Sequence, residues 1–401
     1  MSGWPLTKIK DLGRVVTGKT PPTDSKEYFD GDELFVSPKD LSWEQYYVSQ
    51  TETRISEKAF AKFKNQVLPA NAVMFTSLSF AFGKMGLTSK KSLTNQQINS
   101  IVVNETNDYK FVFYLLKAYR PIIFSYNSGI DTPIVPKSVF ESIEVVCPPK
   151  QTQQKIAAIL SAYDNLIANN QRRITLLERM AEDIYREWFV RLRFPGHEQV
   201  KIEKGVPHGW TPSTLGAIAD FTMGQSPSSE YFNETGTGLP FHQGVGSYGP
   251  RYPRHETFCS VSGRKAKPGD ILFSVRAPVG RLNIADQELI IGRGLAAIRH
   301  KHGFNAYLLY LLKVAFASED IIGNGSIFNS VGKDKPARLG VFEPSPVLVA
   351  KFDALVQPID KQIEGLYQAN ASLNATRDAL LPRLISGKLP VDELDIKTVP
   401  K

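Results

Sequence analysis

Residues 156–188 read IAAILSAYDNLIANNQRRITLLERMAEDIYREW, and one set of positions in this stretch recurs at alternating steps of four and three. The set comprises Ile156, Leu160, Tyr163, Ile167, Asn170, Ile174, Leu177, Ala181, Ile184 and Trp188. Such steps place side chains on one face of an α-helix, in the heptad pattern of paired helices. The stretch therefore predicts a long central helix, over residues 149–193, that packs against a second helix along a mostly apolar seam.

A second seam lies 196 residues further along the chain. It comprises Phe352, Val356, Ile359, Ile363, Leu366, Asn370, Leu373, Arg377, Leu380 and Leu384. Asn170 and Asn370 interrupt the two seams and fix the register, because a slipped pairing would bury an amide without a partner. Ser345 is suited to cap this helix and Gly387 to end it, so we predict a distal helix over residues 345–387. We expect the two helices to pair antiparallel as a coiled coil. The alternative is that each belongs to an ordinary globular core.

The segments that precede the two helices also repeat. Tyr114-Leu-Leu-Lys117 recurs as Tyr310-Leu-Leu-Lys313, again 196 residues later. Further matches are Glu27-Tyr-Phe29 with Glu230-Tyr-Phe232, Leu12-Gly13 with Leu215-Gly216, Val73-Met-Phe75 with Ile271-Leu-Phe273, and Gly83-Lys84 with Gly280-Arg281. A period of about 200 residues is too long for a solenoid or propeller and indicates duplication of a whole domain. We predict two similar domains of mixed α/β (α+β) structure, at 1–148 and 210–344, with a linker at 194–209 and a tail at 388–401.

Composition limits the class of protein. The chain has two cysteines and a formal net charge of +8. Because cysteines are so few, a disulfide framework is disfavoured and a reducing compartment is expected. The N-terminus does not resemble a secretory leader, and no apolar run approaches the roughly 18 residues of a membrane span. We therefore expect a cytoplasmic protein that is not inserted in a membrane. The basic excess suits a polyanionic partner, although solubility alone would also explain it.

Loops in both copies mix basic, amide, hydroxyl and aromatic side chains. The candidates for contact with DNA are Lys39, Ser77, Lys84, Gln96, Gln97 and Asn99 in the first copy and Gln243, Ser247, Tyr248, Arg276, Arg281 and Arg293 in the second. Arginine can pair with guanine, glutamine and asparagine can pair with adenine, and serine and lysine often hold phosphates. For any single candidate, an exposed solvating role is the alternative. Because the framework matches between the copies and these loops differ, we expect two domains that read two different short sequences.

No motif for chemistry accompanies these loops. The sequence lacks an Asn/Asp-Pro-Pro-aromatic motif of amino-methyltransferases, a phosphate-binding loop ending in Gly-Lys-Ser/Thr, and a Cys-x-x-Cys pair. His242, His255, His300 and His302 are interpreted as polar residues and not as metal ligands. We therefore expect no catalytic residue, no metal and no cofactor on this chain.

Several segments resemble one known family. They are Thr94-Asn-Gln-Gln-Ile-Asn99, Gln154-Lys-Ile-Ala-Ala-Ile-Leu160, Leu177-Glu-Arg-Met-Ala181, Tyr185-Arg-Glu-Trp-Phe189, Arg193-Phe-Pro-Gly196, Leu215-Gly216 and Leu380-Leu-Pro-Arg-Leu-Ile-Ser-Gly-Lys388. In this order the segments resemble the specificity subunits of type I restriction-modification enzymes, and the resemblance spans nearly the whole chain. It implies two target-recognition domains separated by a long antiparallel two-helix coiled coil. Each domain would read one half of a bipartite site in double-stranded DNA, and the helices would set the unread spacer.

The resemblance also implies partners. Two modification subunits would bind S-adenosylmethionine and methylate adenine N6, and restriction subunits with an ATP-driven translocase and nuclease could join them. S-adenosylmethionine, ATP and magnesium are therefore expected on the partners. The two helices are not perfectly symmetric, because Pro358 and Arg377 stand where the first helix has Ala162 and Ala181. Two alternatives stay open: a coiled-coil adaptor that does not bind DNA, and a DNA methyltransferase or nuclease that acts alone.

Overall fold

The computed structural model describes residues 3–43, 46–78, 81–129, 132–316 and 334–396, and the chain divides into two compact units. The first unit combines Met1–Gln171 with Tyr367–Lys401, and the second unit is Arg172–Leu366. Both boundaries fall inside the long helices. Each unit therefore contains one globular domain and a part of each helix. The boundaries predicted from the sequence instead separate the long helices from the domains.

The first unit is a mixed α/β structure. Its described strands are β1 (Leu6–Lys8), β2 (Gly13–Thr17), β3 (Glu33–Val36), β4 (Tyr47–Val48), β5 (Thr53–Ile55), β6 (Val73–Thr76), β7 (Met85–Thr88), β8 (Ser92–Thr94), β9 (Ile98–Val103) and β10 (Glu144–Val146). Its described helices are α1 (Glu57–Lys62), α2 (Tyr109–Ser125), α3 (Lys137–Ser142) and the first part of α4 (Lys150–Tyr185).

These strands form a five-stranded sheet in the order β2-β9-β6-β7-β4 and a three-stranded sheet in the order β5-β3-β8. β3 and β8 are parallel, and β1 pairs antiparallel with β10. Helix α2 begins after Asp108, whose carboxylate caps it by accepting a hydrogen bond from the Phe111 amide at 2.9 Å. Phe111 shares one core with Val73 of β6 and with Leu160 of α4. The sheet and the long helix are therefore joined through α2.

The second unit contains a second set of the same elements. Its described strands are β11 (Ile202–Glu203), β12 (Val206–Pro207), β13 (Thr211–Thr214), β14 (Ala219–Met223), β15 (Phe232–Asn233), β16 (Leu239–His242), β17 (Phe258–Cys259), β18 (Lys265–Ala266), β19 (Ile271–Ser274), β20 (Leu282–Ile284), β21 (Leu289–Ile291), β22 (Leu295–His300) and β23 (Gly340–Glu343). Its described helices are the second part of α4, α5 (Leu215–Ile218), α6 (Asn305–Ala315), α7 (Asp334–Ala337) and the first part of α8 (Pro346–Ile385).

The sheets of the second unit repeat those of the first. The order β14-β22-β19-β20 matches β2-β9-β6-β7. The parallel pair β16 and β21, with Phe241 opposite Ile290, matches β3 and β8, with Phe35 opposite Leu93. β13 pairs with β23 as β1 pairs with β10. The expected fold class and the internal duplication are confirmed.

One match between the copies is wrong by three residues. The hydrogen-bond ladder places Gly13 of β2 opposite Val103, which ends β9, and Ala219 of β14 opposite His300, which ends β22. Gly13 therefore corresponds to Ala219 and not to Gly216, which lies in α5. The Leu-Gly letters coincide, but strand register decides which residues are equivalent.

The two long helices run antiparallel within each unit. In the first unit, Asn170 of α4 donates through Nδ2 to Asn370 Oδ1 of α8 at 2.9 Å. In the second unit, the rings of Tyr185 and Phe352 lie 5.8 Å apart. Helix α8 begins at Pro346, where the Leu348 amide donates to Ser345 Oγ at 3.4 Å, as an N-cap requires.

The ends of the first long helix differ slightly from the sequence scheme. A π-helical turn, Arg186–Val190, continues α4, and the segment expected to be a linker contains the short hairpin of β11 and β12. After α8, Gly387 has the positive φ of +70° that favours glycine at a helix end. Of the helices in the described ranges, none is long and apolar enough to cross a bilayer.

Candidate nucleic-acid interface

In the second unit, a turn and a strand end bring three polar groups together. Gln243 follows β16, and its Oε1 accepts a hydrogen bond from Ser226 Oγ at 2.7 Å. The same Ser226 hydroxyl accepts from the Arg293 backbone amide at 3.2 Å. Glycine at 292 permits this approach, because a Cβ there would lie 2.6 Å from Gln243 Oε1. The side chains of Gln243 and Arg293 are exposed. Both can therefore face an external ligand.

The first unit builds a related group at the equivalent place. Thr20 Oγ1 donates to Gln96 Oε1 at 2.7 Å, and Gln96 is exposed. Here Gly18 permits the close approach, because a Cβ on it would lie 2.1 Å from the Asn95 carbonyl oxygen. Thus Thr20, which follows β2, and Ser226, which follows β14, each donate a hydrogen bond to a glutamine side chain.

Sequence reasoning missed the two hydroxyls. The signal was the recurrence of Gly18-Lys-Thr-Pro21 as Gly224-Gln-Ser-Pro227. The spacing of these segments is 206 residues, as for Phe35 and Phe241 on the parallel strands, so both belong to the same part of the duplication. Thr20 and Ser226 hold candidate DNA contacts in place.

The hairpin loops between β6 and β7 and between β19 and β20 place further basic residues. Gly83 and Gly280 both have positive φ, +78° and +88°. Each closes its hairpin, with amides that donate to the carbonyls of Thr76 and Ser274 at 2.8 and 3.0 Å. The Gly-basic pairs found in the sequence therefore mark the hydrogen-bonded end of the equivalent hairpin in each unit.

The basic candidates that follow these turns differ in exposure. Arg276 and Arg281 are exposed, whereas Lys84 is half-buried. Gln97 is also half-buried, and its Oε1 accepts from Asn95 Nδ2 at 3.1 Å. The second unit thus presents more cationic surface at this hairpin than the first.

Two candidates of the first unit do not suit direct contact with DNA. Ser77 and Asn99 are buried, and Asn99 Nδ2 donates to Ser77 Oγ at 2.9 Å. Asn99 Oδ1 also accepts from Thr17 Oγ1 at 2.6 Å. Because their polar atoms are engaged inside the domain, the expectation of base contact is corrected for this pair. They join β2 and β9 to the start of the hairpin loop.

Two other candidates, Lys39 and Ser247, have partners within their own domains, and a third, Tyr248, is turned inward. Lys39 is exposed and lies 3.7 Å from Glu52 Oε2 in an ion pair. The Ser247 hydroxyl lies 2.7 Å from His242 Nδ1. The hydroxyl of Tyr248 is buried, and burial raises the pKa of this phenol, so the side chain points inward. Of these three, only Lys39 has a fully exposed side chain.

A chain of hydrogen bonds surrounds His242 in the second unit. His242 Nε2 lies 3.1 Å from His255 Nδ1, and His255 Nε2 lies 3.0 Å from Asp286 Oδ2. Burial and the neighbouring His255 lower the pKa of His242 to about 4. The ring is therefore neutral at physiological pH. Within the described ranges, no group of three or more His, Cys, Asp or Glu is arranged to hold a metal ion.

Each unit also contains a buried ionic group that holds its helices. In the first unit, Arg377 Nη1 of α8 donates to Asp164 Oδ1 of α4 at 2.5 Å, and these side chains are 3% and 5% exposed. The Tyr114 hydroxyl of α2 donates to the other oxygen of Asp164. Asp378 pairs with Arg377 and with Lys117 at 2.9 and 3.6 Å. The Asp164 carboxylate of α4 therefore binds side chains from two other helices, α2 and α8.

In the second unit, the arginine of the group comes from a different element. Asp360 of α8 accepts from Tyr310 at 3.3 Å, as Asp164 accepts from Tyr114. Its cation is Arg251, from a loop of the globular domain, whose Nη2 donates to Asp360 Oδ1 at 2.5 Å. Arg251 Nη1 also donates to Glu178 of α4 at 3.2 Å. The Arg251 side chain is only 4% exposed, so the loop is fixed to both helices.

This difference bears on one part of the asymmetry between the helix sequences. The position of α4 that corresponds to Arg377 is Ala181, which is fully buried. The second unit thus lacks a helix arginine at this position, and Arg251 supplies the cation for Asp360 instead. Each unit thus places an arginine beside the equivalent carboxylate. The arginine comes from α8 in the first unit and from a loop of the globular domain in the second.

The seam residues lie inward to different degrees. Those classed as buried are Leu160, Ile174, Val356, Ile363, Leu366 and Asn370. Those of intermediate burial are Ile167, Asn170, Leu177, Ile184, Leu373 and Leu380. The exposed apolar side chains of α4, Leu166, Leu176 and Met180, lie outside this seam.

Comparison with known proteins identifies a domain and two similar chains. Residues 1–179 match the model of the type I restriction modification DNA specificity domain. The type I restriction enzyme MjaIX specificity subunit of Methanocaldococcus jannaschii is 29% identical over 98% of this chain and 94% of that protein. The MjaVIII specificity subunit of the same organism is 23% identical, again over 98% of this chain and 94% of that protein. The chain is thus similar to type I specificity subunits over nearly its whole length.

A solved structure supports the fold of this chain. The S subunit of the type I restriction-modification system of M. genitalium aligns with a TM-score of 0.58 over 95% of this chain and 96% of that chain. Their sequences are only 17% identical, so this likeness concerns the fold alone. The expected repeated mixed α/β fold with long helices is therefore confirmed, and the matched domain and relatives agree with the resemblance found in the sequence.

Proposed function

We propose that this chain is the specificity subunit of a type I restriction-modification enzyme and recognises a bipartite site in double-stranded DNA, with each domain reading one half. The observation that carries the proposal is the pair of equivalent polar groups on a shared framework. The first domain presents Gln96 held by Thr20, and the second presents Gln243 and Arg293 held by Ser226. Glutamine can pair with adenine and arginine with guanine, so equivalent positions would read different bases.

The chain itself directs catalysis and does not perform it. Two modification subunits supply the methyltransferase activity toward adenine N6, and restriction subunits can join the complex. S-adenosylmethionine, ATP and magnesium are bound by these partners. The proposal is supported by the family name and by the lack of amino-methyltransferase and phosphate-loop motifs in the sequence.

The two long helices set the length of the unread spacer between the half-sites. Helix α4 has 36 residues and α8 has 40 residues. At about 1.5 Å per residue, each extends for roughly 54 to 60 Å, which exceeds the ~34 to 36 Å of one DNA turn. The buried groups of Asp164 and Asp360 support the pairing of the helices within each unit.

Genome-wide mapping of methylated adenine tests the proposal. The subunit is expressed with and without its modification subunit in a host that lacks modification systems of its own. We expect a split motif that appears only when both proteins are present. The map gives both half-sites and the spacer in one measurement.

Three other outcomes would overturn the proposal. Methylation by this chain alone would move the chemistry into it, as for a methyltransferase that acts alone. Absence of any motif with a modification subunit verified as active would favour an adaptor that does not bind DNA. A continuous, unsplit motif would contradict the division of reading between two domains.

A further inference from the structure

The hydrogen-bond chain Ser247, His242, His255 and Asp286 is not needed for the fold that the two units share. The strand position that corresponds to His242 is Val36 in the first unit, since both residues end a parallel strand one position after a paired phenylalanine. Valine cannot form such a chain. The feature is therefore particular to the second domain.

The chain closes the ends of one loop. His242 ends β16 and His255 follows residue 254, so their contact at 3.1 Å joins the two ends of loop 243–254. Asp286, after β20, holds His255 from outside the loop at 3.0 Å. Ser247 joins the chain from within the loop at 2.7 Å. Four side chains from three segments thus meet at the base of the loop.

Further contacts give this loop a defined shape. The Arg254 amide donates to the Ser247 carbonyl at 2.8 Å, and the Gly249 amide donates to the Tyr252 carbonyl at 3.0 Å. Arg251, within the loop, is fixed to Asp360. A loop tied at its base and at its far end has few conformations to lose when it binds a ligand.

The hydrogen-bonding capacity of the chain is fully used when both rings are neutral. His255 Nε2–H donates to Asp286, and His242 Nε2–H donates to His255 Nδ1. His242 Nδ1 then accepts from the Ser247 hydroxyl. His242 is 1% exposed, so this arrangement is shielded from competing water.

Gln243 connects the chain to the candidate interface. It follows His242 directly, and its carbonyl accepts from the Gly294 amide at 3.1 Å. The Gln243 side chain is exposed beside Arg293. Because the backbone of His242 is fixed, the direction of the Gln243 side chain is restricted before any DNA binds.

We propose that His242, His255 and Asp286 are positioning residues that hold loop 243–254 so that Gln243 reads the half-site of the second domain. The inference rests on the proposed function and adds the residues that determine the accuracy of one half-site. The first domain has Val36 at the position of His242, and a valine cannot form this hydrogen-bond chain. The half-site of the first domain therefore serves as an internal control.

The test measures half-site preference in the complex with the modification subunit. Once methylation mapping has given the motif, three duplexes are compared by fluorescence anisotropy: the intact site, and sites in which one or the other half is scrambled. His255→Ala should reduce the preference for the intact second half-site about tenfold. The preference for the first half-site should not change.

Two further variants separate positioning from folding. His208→Ala removes an exposed histidine of the same unit and should change neither preference. His255→Gln should restore much of the lost preference, because a carboxamide offers one acceptor and one donor to His242 and Asp286. Asp286→Asn should have a smaller effect than His255→Ala, since an amide oxygen can still accept from His255.

The outcomes distinguish this inference from the proposed function. A wild-type complex with no preference for either half-site would overturn the proposed function. Suppose that the wild-type complex shows both preferences and that His255→Ala leaves the preference for the second half-site unchanged. That result would overturn the inference that His255 positions loop 243–254. Equal loss of both preferences in His255→Ala, with no rescue by His255→Gln, would also overturn it, because that result indicates a general structural role.

Discussion

Arg276 carries the simplest test of base reading, because it is exposed in the hairpin loop between β19 and β20. If its guanidinium pairs with a guanine, Arg276→Ala should weaken selectivity at one position of the second half-site by about 1–3 kcal/mol. Competition binding against single-base variants of the site measures this selectivity.

The control for Arg276→Ala is Lys351→Ala, which removes an exposed charge from helix α8. It should leave base selectivity unchanged. A loss of affinity in Arg276→Ala that is uniform across all sequences would instead identify a phosphate contact.

His242 predicts a pH dependence of stability. Its pKa is about 4 in the folded chain, against an ordinary value of 6.5. Between these values the unfolded chain binds more protons, so stability is fully present above pH 6.5 and is lost as the pH falls toward 4. We expect a loss of about 2 kcal/mol by pH 5 from this residue.

Urea unfolding of the wild type and of His242→Gln, at pH 7.5 and at pH 5, checks this dependence. Glutamine does not titrate, so the stability lost by the variant between these pH values should be smaller by the His242 contribution. An equal loss in both proteins would show that His242 is not buried as a neutral ring.

At the scale of residues, the sequence predicted the chemical type of the candidate contact residues better than it predicted which of them are exposed. Gln96, Gln243, Arg276 and Arg293 are exposed, as contacts must be, whereas Asn99 is buried. Alternation along β9 decides the orientation of Asn99, and the face of a strand that is covered depends on sheet order. Sheet order arises from contacts between distant segments, which local sequence patterns do not contain.

At the scale of elements, the buried pair of Arg377 and Asp164 should dominate the stability of the helix contact in the first unit. Arg377→Ala would leave Asp164 buried without its cation, which typically costs about 3–5 kcal/mol. Differential scanning calorimetry should show a lower melting temperature for this variant. Arg383→Ala, an exposed change on the same helix, should leave the melting temperature unchanged.

Replacing both partners provides a second check. Arg377→Met with Asp164→Leu removes both charges and should destabilise the chain less than Arg377→Ala alone. If the single variant is no less stable than the double variant, the ion pair does not support the helix contact.

The sequence predicted both long helices and the caps of the second one, because heptad spacing and capping residues are local signals. It did not predict that Arg377 and Arg251 serve equivalent carboxylates. Arg251 lies far from Asp360 in sequence and reaches it only through the folded loop. The sequence shows alanine at 181, the position that corresponds to Arg377. It does not show that Arg251 supplies the cation for Asp360.

At the scale of the whole molecule, the net charge of +8 predicts salt-sensitive binding to DNA. With about four phosphate contacts, affinity should fall roughly a hundredfold between 50 and 200 mM salt, because bound cations release counterions. Fluorescence anisotropy with a duplex that lacks the site measures this dependence in the complex. Affinity independent of salt would contradict phosphate contact.

The duplication was readable from the sequence because the copies share core and turn residues such as Tyr114 and Tyr310. Its exact alignment was not, since the three-residue shift at Gly13 appears only in the strand ladder. Insertions between strands change the spacing of the copies without changing the sheet.

The two routes to a buried cation limit how freely the domains could be exchanged. A chimera with two copies of the first domain would lack Arg251, so Asp360 and Glu178 would lose the arginine that pairs with both. The reverse chimera would bring a second guanidinium to the pocket already filled by Arg377. An exchange of domains must therefore carry the loop arginine together with its own half of the helices, so the exchanged module is larger than the globular domain proposed to read the bases.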